Sequence, residues 1–472
     1  MAERIDEIRQ SGKSSSLPFV NPLPRPPMLP LSFAQEGLWF LEQLEAGKAA
    51  YSLPAVLHWQ GPLDVAALEK SLAGVVARHE SLRTRFPVFN GEPVQVIGPL
   101  EDFPLEYVDL STASDTEKAN GLKQVREKLE CPFQLQQGPL FRTCLVRLHA
   151  DKYSLLLNMH HIISDGWSIA IFVHEICALY RQYSQGQSGL LPQLSLQYAD
   201  YSLWQRSWLS GDILEEQLQF WQKNLAGILP ILELPKDHAR PAVQSFRGAV
   251  LPFAFPQALS ANLRVLANRE GATLYMVLVA VFQLLLSRYS NQEDVVVGSP
   301  IAGRRHPQVE NLIGFFVNML PLRTDLSNNP PFQELLRLVK QAALSAFAHQ
   351  DVPFEKVVAR IQPQRDLSCH PIFQVVFALQ NVPQWEAGIP GVTLTLDEGH
   401  SGTSKFDLSV EVFETPSGLR GKCEYATDLF EPSTIEQMMG HFTRLLEGIV
   451  EDGQPLIHEL PMLSASELRQ IL

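Results

Sequence analysis

Cysteine is scarce in this 472-residue chain, and the few cysteines present form no recognisable pair. They are scattered along the sequence without a Cys-x-x-Cys spacing: Cys131, Cys144, Cys177, Cys369 and Cys423. A disulfide framework needs an even number of cysteines at regular spacing, and a zinc site needs them in pairs. The composition therefore argues against both and predicts buried or incidental thiols in a reducing compartment.

Basic residues are also fewer than acidic residues. The chain has 38 lysines and arginines against 51 aspartates and glutamates, which gives a formal net charge of −13. A protein surface that binds the phosphate backbone of a nucleic acid needs the opposite sign. We therefore expect no nucleic-acid partner.

Long apolar segments are missing as well. The N-terminus, MAERIDEIRQ, lacks the apolar core of a signal peptide. The longest apolar run, Leu274 to Leu286, contains a glutamine and is shorter than the about 20 residues that cross a bilayer. We interpret this run as a helix buried in a core, and we predict a soluble, cytoplasmic protein without a membrane contact.

Helix and strand patterns alternate along the chain between two ends that resemble linkers. Residues 11–30 pass from serine-rich to proline-rich, which predicts an extended connector. The length suits more than one compact unit. We predict a mixed α/β fold with linkers at 1–30 and 455–472 and two lobes at 31–205 and 206–454.

Apolar residues at helical or alternating spacing predict the individual elements. We expect helices at 65–79, 166–183, 198–208, 215–225, 273–289, 332–348 and 433–450. We expect strands at 152–159, 294–298 and 374–380. No period of about 20–50 residues repeats, which argues against solenoids and propellers.

The most unusual local pattern is a pair of histidines followed by an acidic residue and a glycine, in MHHIISDGWS (159–168). Neighbours at the end of a strand point to opposite faces, so His160 and His161 are not expected to face one cavity together. Their opposed faces also disfavour a metal site. Asp165 is placed to cap the following helix, and Gly166 leaves room at its start.

Seven motifs in order carry a resemblance to a known family. They are LSFAQEGLWFL (31–41), RHESLRTRF (78–86), MHHIISDGWS (159–168), YADYSLW (198–204), IGFFVNMLPLR (313–323), HQDVPFE (349–355) and RDLSCHPIF (365–373). With these motifs the sequence resembles the condensation domains of nonribosomal peptide synthetases.

The resemblance implies two lobes related to chloramphenicol acetyltransferase, set as a V-shaped pseudo-dimer with a tunnel between them. Carrier proteins would insert phosphopantetheine arms into its two mouths, one with a donor aminoacyl or peptidyl thioester and one with an acceptor aminoacyl thioester. The acceptor α-amine would attack the donor carbonyl and form a peptide bond. The chain itself would bind no cofactor or metal. Its implied partners are the two carrier proteins and an adjoining adenylation domain, and it would act as a monomer.

The resemblance also implies roles for the histidine motif. His161 would face the tunnel and either take a proton from the amine or hold the amine in line, and the sequence leaves both roles open. His160 would shape the loop. Gly166 would keep the tunnel open for the arm.

Asp165 would be architectural, paired with an arginine of the second lobe. In SPIAGRRHP (299–307), Arg304 stands at the place that matches the family, and Arg305 is a rival for the role. Three other polar residues of the motifs are interpreted as stabilising the fold: Arg83, Asn318 and Gln350.

Three positions depart from the family's pattern. Arginine is usual where Gly37 stands, and arginine followed by asparagine or threonine is usual where Cys369 and His370 stand. The change at Gly37 is expected to affect packing between the lobes or the handling of the donor. The motifs at 78–86 and 159–168 are most like the subtype that joins an L-configured donor to an L-configured acceptor, whereas QEG at 35–37 is similar to the D-donor subtype.

Two other functions stay open at this point. One is ester formation or transfer of a starter acyl group, which would differ from peptide synthesis in the chemistry of the acceptor. The other is a non-catalytic platform that recruits other enzymes to the carrier protein. The intact histidine motif argues against a platform.

Overall fold

The computed structural model of the protein describes residues 18–44, 51–100, 103–189, 191–227, 231–362, 366–380, 388–399, 402–451, 456–464 and 467–469. The helices of these residues are α1 (Phe33–Leu44), α2 (Val65–Arg78), α3 (Asp115–Leu129), α4 (Gly166–Ser184), α5 (Tyr198–Trp208), α6 (Gly211–Asn224), α7 (Gln257–Arg269), α8 (Leu274–Ser290), α9 (Pro307–Glu310), α10 (Phe332–Ala348), α11 (Phe354–Ile361) and α12 (Pro432–Glu451).

The strands are β1 (Leu29–Pro30), β2 (Ser52–Gln60), β3 (Thr84–Arg85), β4 (Val88–Phe89), β5 (Glu92–Ile97), β6 (Glu106–Asp109), β7 (Phe141–His149), β8 (Lys152–His160), β9 (Gly248–Ala254), β10 (Asp294–Ile301), β11 (Asn318–Asp325), β12 (Val375–Gln380), β13 (Thr393–Glu398), β14 (Leu408–Thr415) and β15 (Gly418–Ala426). Each predicted helix and strand is present. The largest difference between a predicted and an observed boundary is at α6, which is predicted to begin at residue 215 and begins at Gly211.

The first lobe is built on a five-stranded sheet in the order β13-β2-β8-β7-β6. Both faces of its central strand are covered. Leu155 and Leu157 of β8 pack in the core that α2 and α4 share, whereas Leu156 packs on the other face against Val125 and Leu129 of α3. Burial on both faces explains why β8 has a continuous apolar sequence instead of an alternating one.

The second lobe is built on a six-stranded sheet in the order β11-β10-β12-β14-β15-β9. Its core includes α8, whose residues from Met276 to Leu286 are all buried. The expectation that this apolar run is a buried helix is therefore confirmed. No single helix in the described part of the chain is long and apolar enough to cross a membrane, and α7 with α8 reaches that length only across a bend of 105°.

The second half of the sequence contributes one strand to the sheet of the first lobe. β13 comes from the second half of the sequence but pairs antiparallel with β2, with Thr393 opposite Gln60 and Glu398 opposite Ala55. Ile389, just before β13, is buried in the core of the first lobe. The second lobe is therefore not the continuous segment 206–454 that the sequence predicted.

Packed structure also extends beyond the predicted lobe boundaries at both ends. Val20 is fully buried, and its backbone N–H and C=O bond the side-chain amide of Gln308 at 3.2 and 3.1 Å. Ile457 is fully buried, and its carbonyl accepts a hydrogen bond from Arg288. Residues near both ends of the chain are thus part of the packed body rather than free connectors.

A segment of the second lobe, Ile313–Phe316, is held by the first lobe. The carbonyl of Ile313 accepts a bond from Ser81 Oγ at 2.7 Å, and the carbonyl of Phe315 accepts one from the Tyr198 hydroxyl at 2.5 Å. Gly314 lies directly against the ring of Tyr198. This segment is therefore a junction of the two lobes beside the histidine motif, since Gly314 also bonds to Ser168.

We expect Gly314→Ala to destabilise the protein by about 1–3 kcal/mol, because overpacking a closed site strains it. An added Cβ would lie 1.9 Å from the ring of Tyr198, which is 2% exposed and fixed by its bonds to Phe315 and Ser32. Urea unfolding measures the change. Gly440→Ala is the matched control, since that exposed helix position has no atom within 4 Å, and it should be neutral or stabilising. A Gly314→Ala protein as stable as the wild type would contradict the packing.

Candidate active site

The histidine motif forms a loop, residues 160–166, between the end of β8 and the start of α4. Its backbone is anchored on both sides: His160 N–H donates to Leu140 O at 2.9 Å, and His161 N–H donates to Tyr51 O at 2.8 Å. A short 3-10 turn, His161–Ile163, reverses the chain. We refer to residues 160–166 as the histidine loop.

His160 is a buried, neutral residue that fixes the loop. It is 2% exposed, and burial lowers the pKa of its ring below the ordinary value. Nδ1 accepts the N–H of Ile162 at 3.0 Å, so the proton is on Nε2, which donates to Glu42 at 2.9 Å. The ring also packs edge-on against Phe133. The ring of His160 is thus held through both nitrogens and by the contact with Phe133.

His161 holds its proton on the opposite nitrogen. Its Nδ1 lies 2.9 Å from the carbonyl oxygen of Ser164, and a carbonyl can only accept, so Nδ1 carries the hydrogen. Burial, and then the positive charge of Lys405, lower the pKa of His161 to about 3, while Asp165 acts in the other direction. The ring is therefore neutral at pH 7. Within the described ranges, Nε2 has no hydrogen-bond partner and is free to accept a proton.

Asp165 links the two lobes through a buried network. Its Oδ1 caps α4 by accepting the Ser168 N–H at 2.8 Å, as the sequence predicted. Oδ1 also lies 3.1 Å from Arg304 Nη2, and Oδ2 accepts the N–H of Phe316 at 3.0 Å. The side chains of Asp165 and Arg304 are 4% and 2% exposed. Removing such a pair from water is costly, and these hydrogen bonds offset that cost.

Arg304 is held by bonds at both ends of its guanidinium group. Nη1 donates to the carbonyls of Val309 and Leu312 at 2.8 and 2.6 Å, and Nη2 also donates to Ser168 Oγ at 2.9 Å. The guanidinium carbon lies 4.1 Å from the centre of the Phe316 ring. Of the two candidate arginines, Arg304 therefore pairs with Asp165.

Arg305 has a different partner. Its Nη1 donates to both carboxylate oxygens of Asp351, at 2.8 and 2.6 Å. The two neighbouring arginines thus make separate ion pairs, and only Arg304 reaches the histidine loop.

Gly166 and Phe315 border the space around His161. Gly166 is exposed, and a side chain added there would meet no atom within 4 Å. Phe315 packs edge-on against the imidazole of His161, with ring centres 4.9 Å apart. Phe315 also lines a small cleft, partly open to solvent, at the junction of the lobes, together with Tyr201 and Asn318. Phe315 therefore connects the ring of His161 with this cleft.

The three polar residues interpreted as structural make bonds to backbone groups. Arg83 donates to the carbonyl of Gly98, and Gln350 donates to that of Phe347. Asn318 bridges the carbonyls of Gln350 and Val352, at 3.0 and 2.8 Å. Such bonds stabilise local chain geometry.

Gly37, where the family usually has arginine, lies between the lobes. A Cβ at this position in α1 would be 2.4 Å from Cγ of Glu355, at the start of α11. Glu355 therefore occupies the space that a side chain at position 37 would need. Burial raises the pKa of Glu355 to about 7. The absence of a side chain at Gly37 thus lets Glu355 pack between the lobes.

Of the other two departures, Cys369 is buried and His370 is half-buried. Cys369 is a free thiol, and all five cysteines are free. The ring of His370 stacks on Phe354 and packs against Phe373 and Phe406. Burial lowers the pKa of His370 to about 4, so it packs as a neutral aromatic ring.

We expect Glu355→Gln to stabilise the protein increasingly as pH rises. The pKa of Glu355 is about 7 in the fold against an ordinary 4.5, so the folded protein binds a proton that the unfolded chain releases. The free energy of unfolding of the wild type therefore decreases as pH rises from about 4.5 to above 7, by up to about 3 kcal/mol. The glutamine variant has no ionisable group at this position and avoids this decrease. Urea unfolding at pH 5 and pH 8 measures the gain. Glu216→Gln, at an exposed position on α6, is the control and should show no such trend.

Several contacts of the site were not predicted from the sequence. Glu42, which orients His160, follows directly after the first motif, and Ser168, which joins Asp165 to Arg304, is within the histidine motif. Both positions therefore lie in or beside the family's motifs. Nothing in the local sequence around Lys405 indicated that its charge acts on both histidines.

Comparison with known proteins defines the class. The family model described as "Condensation domain" matches residues 27–472. The chain is 45% identical over 478 residues to one of the proteins of the linear gramicidin synthase of Brevibacillus parabrevis, an alignment that covers 100% of this chain and 6% of that protein. The chain thus spans less than a tenth of the length of that relative.

Solved structures agree with this assignment. The X-domain from teicoplanin biosynthesis has a TM-score of 0.85 and 30% identity, covering 94% of this chain and 100% of that chain. Its complex with OxyB gives a TM-score of 0.85 and 29% identity, covering 96% and 99%. The chain belongs to the condensation-domain family. The predicted mixed α/β fold and the predicted resemblance to condensation domains of nonribosomal peptide synthetases are confirmed.

Proposed function

We propose that the chain is an acyltransferase that forms a peptide bond between two carrier-bound substrates. The donor is an aminoacyl or peptidyl thioester, the acceptor is the α-amine of an aminoacyl thioester, and each is held on the phosphopantetheine arm of a carrier protein. The observation that supports this proposal is the state of His161. Its ring is neutral, its Nδ1 is fixed on Ser164, and its Nε2 bonds to no group of the described residues.

In the proposed reaction, the lone pair of the amine forms a bond to the thioester carbon, and the carbonyl π electrons move to the oxygen. His161 Nε2 accepts the proton of the attacking amine. The carbonyl then re-forms, the carbon–sulfur bond breaks, and the thiolate leaves with a proton from His161. An amine is a competent nucleophile when neutral, so no covalent enzyme intermediate is needed. Holding the reactants in line supplies a further part of the rate.

The neighbouring residues support this reaction by position. Asp165 and Arg304 fix the start of α4 against the second lobe, and therefore fix the histidine loop that precedes it. Gly166 leaves the space beside His161 open to the arm. His160 fixes the loop through Glu42. None of these four residues transfers a proton in the proposed reaction.

The test uses two carrier proteins, one loaded with an aminoacyl donor and one with an aminoacyl acceptor. Intact-protein mass spectrometry should find the dipeptide on the acceptor carrier and a free thiol on the donor carrier. A parallel reaction with a hydroxyacyl acceptor separates the ester-forming alternative, because an ester-forming enzyme would use the hydroxyl better than the amine. No dipeptide with any of several loaded pairs would contradict the proposal.

Recruitment of another enzyme is the second candidate, favoured by one comparison. The X-domain that this chain resembles at 29% identity has been solved in complex with OxyB. If this chain were such a platform, it would bind a carrier-acting enzyme and leave loaded substrates unchanged. The anchored ring of His161, with its acceptor nitrogen available, favours catalysis.

We further propose an L-configured donor and acceptor, action as a monomer in the cytoplasm, and an adjoining adenylation domain that supplies the activated amino acid. The motifs at 78–86 and 159–168 support the L donor. Loading the donor carrier with L- and D-aminoacyl groups in turn tests this choice, and a faster reaction of the D form would reverse it.

A further inference from the structure

The backbone of Phe315 is fixed because the first lobe holds the residues on both sides of it. The N–H of Gly314 donates to Ser168 Oγ at 3.1 Å. The N–H of Phe316 donates to Asp165 Oδ2 at 3.0 Å. The second lobe therefore presents the phenyl group of Phe315 from a point that the fold defines.

The phenyl ring of Phe315 borders the same open space as the imidazole of His161. The two ring centres are 4.9 Å apart, and the ring planes meet at 67°. Both residues are half-buried, so each ring keeps a surface that a bound molecule can contact. Phe315 also lines the cleft at the junction of the lobes.

The proposed reaction brings the acceptor side chain close to this phenyl ring. Nδ1 of His161 is held by Ser164, so the attacking amine meets the imidazole at Nε2. A hydrogen bond of about 3 Å and one C–N bond place the acceptor α-carbon within about 6 Å of the imidazole centre. The acceptor side chain begins at that carbon, whereas the donor side chain begins one bond further from the amine.

The chemistry of the phenyl ring favours an apolar neighbour. It has no hydrogen-bonding group, so a polar side chain packed against it would lose water and gain no partner. An apolar side chain would gain from leaving water. The charged residues of the cleft, Arg305 and Asp351, are bonded to each other.

We propose that Phe315 determines the specificity for the acceptor: its ring is the apolar surface on which an apolar acceptor side chain packs while the α-amine is held at His161. This inference rests on the proposed function. Phe315 makes no bond to a reacting atom and transfers no proton. It acts through the difference in binding between one acceptor side chain and another.

The experiment is a competition between leucine and asparagine, which have nearly the same shape and differ in polarity. The donor carrier bears one amino acid, and the acceptor carrier is supplied as an equal mixture of the leucyl and asparaginyl forms. The dipeptides are released from the carrier and separated by liquid chromatography with mass spectrometry. We expect wild type to favour leucine, Phe315→Ala to lower the ratio of leucine to asparagine product by ~5- to 20-fold, and Phe315→Leu to keep most of the ratio. General damage to the fold would slow both products equally and leave the ratio unchanged.

Phe220→Ala is the matched control, because the Phe220 ring is also half-buried and stacks on a histidine, His349, with ring centres 3.7 Å apart. It should leave the product ratio unchanged. An equal change in both alanine variants, or no change in Phe315→Ala, would overturn the inference. A change confined to the donor, measured with leucyl and asparaginyl donors against a glycyl acceptor, would overturn the assignment to the acceptor.

A second measurement does not depend on catalysis. Carrier proteins are loaded with leucyl or asparaginyl groups through a stable amide in place of the thioester, and calorimetry gives the affinity of each form. The affinity ratio should change in Phe315→Ala in the same direction as the product ratio. A changed affinity ratio in a protein that makes no dipeptide would contradict the proposed function and support the contact. Dipeptide formation with both ratios unmoved in Phe315→Ala would overturn the inference alone.

Discussion

Replacement of His161 by alanine is expected to slow dipeptide formation by about 10²- to 10⁴-fold, the range over which a positioned general base acts. The imidazole is neutral because burial and Lys405 lower its pKa, and its proton is held on Nδ1 by Ser164. Its Nε2 is therefore the acceptor that the proposed reaction uses. Intact-protein mass spectrometry of the acceptor carrier at early times measures the rate.

His161→Asn separates the two roles of this residue. Its amide oxygen accepts a hydrogen bond but does not accept a proton at neutral pH, so we expect the same loss as in the alanine variant. Retention of much of the rate would instead assign His161 to holding the amine in line. His174→Ala is the control, because it removes an exposed histidine from the same helix, α4, and should leave the rate unchanged.

Asp165→Ala is expected to lower the free energy of unfolding by about 3–5 kcal/mol, because it leaves a buried positive charge without its partner. Arg304 would remain 2% exposed beside an empty site, and α4 would lose its capping carboxylate. Urea unfolding followed by tryptophan fluorescence measures the loss. Dipeptide formation should fall with it, since the histidine loop loses its anchor to the second lobe.

The double variant Asp165→Ala, Arg304→Met tests the cause. If the uncompensated arginine accounts for most of the cost, the double variant should be more stable than Asp165→Ala alone. Asp351→Ala provides the comparison, because Arg305 is 30% exposed and water can solvate it, and a loss of about 1 kcal/mol or less is expected. Similar losses for Asp165→Ala and Asp351→Ala would contradict the account of the buried pair.

Much of the architecture could be predicted because the relevant signals are local. Apolar periodicity placed α4, α8 and α10 within a few residues of their bounds. The cap of α4 could be predicted from Asp165 alone, because a capping carboxylate and its helix are neighbours in sequence. The histidine motif was recognisable for the same reason.

The remaining features depend on contacts between distant segments. Glu42 reaches His160 across 118 residues, and Arg304 reaches Asp165 across 139. Local spacing carries no information on such pairs, so the sequence left Arg304 and Arg305 as rivals. Lys405 and Phe315 were missed for the same reason, since each meets the histidine loop only after the lobes have packed together.

The position of β13 in the first lobe's sheet limits how this chain can be recombined with its relatives. β13 forms the edge of the first lobe's sheet although it follows β12 in sequence. A chimera that imports residues 31–205 from another family member would pair a foreign β2 with the resident strand at 393–398, and this combination of facing side chains occurs in neither parent. A graft of the first lobe that keeps this sheet intact must therefore include β13 as a second, separate segment. Replacement of the whole packed body, from Val20 to Ile457, avoids the mismatch.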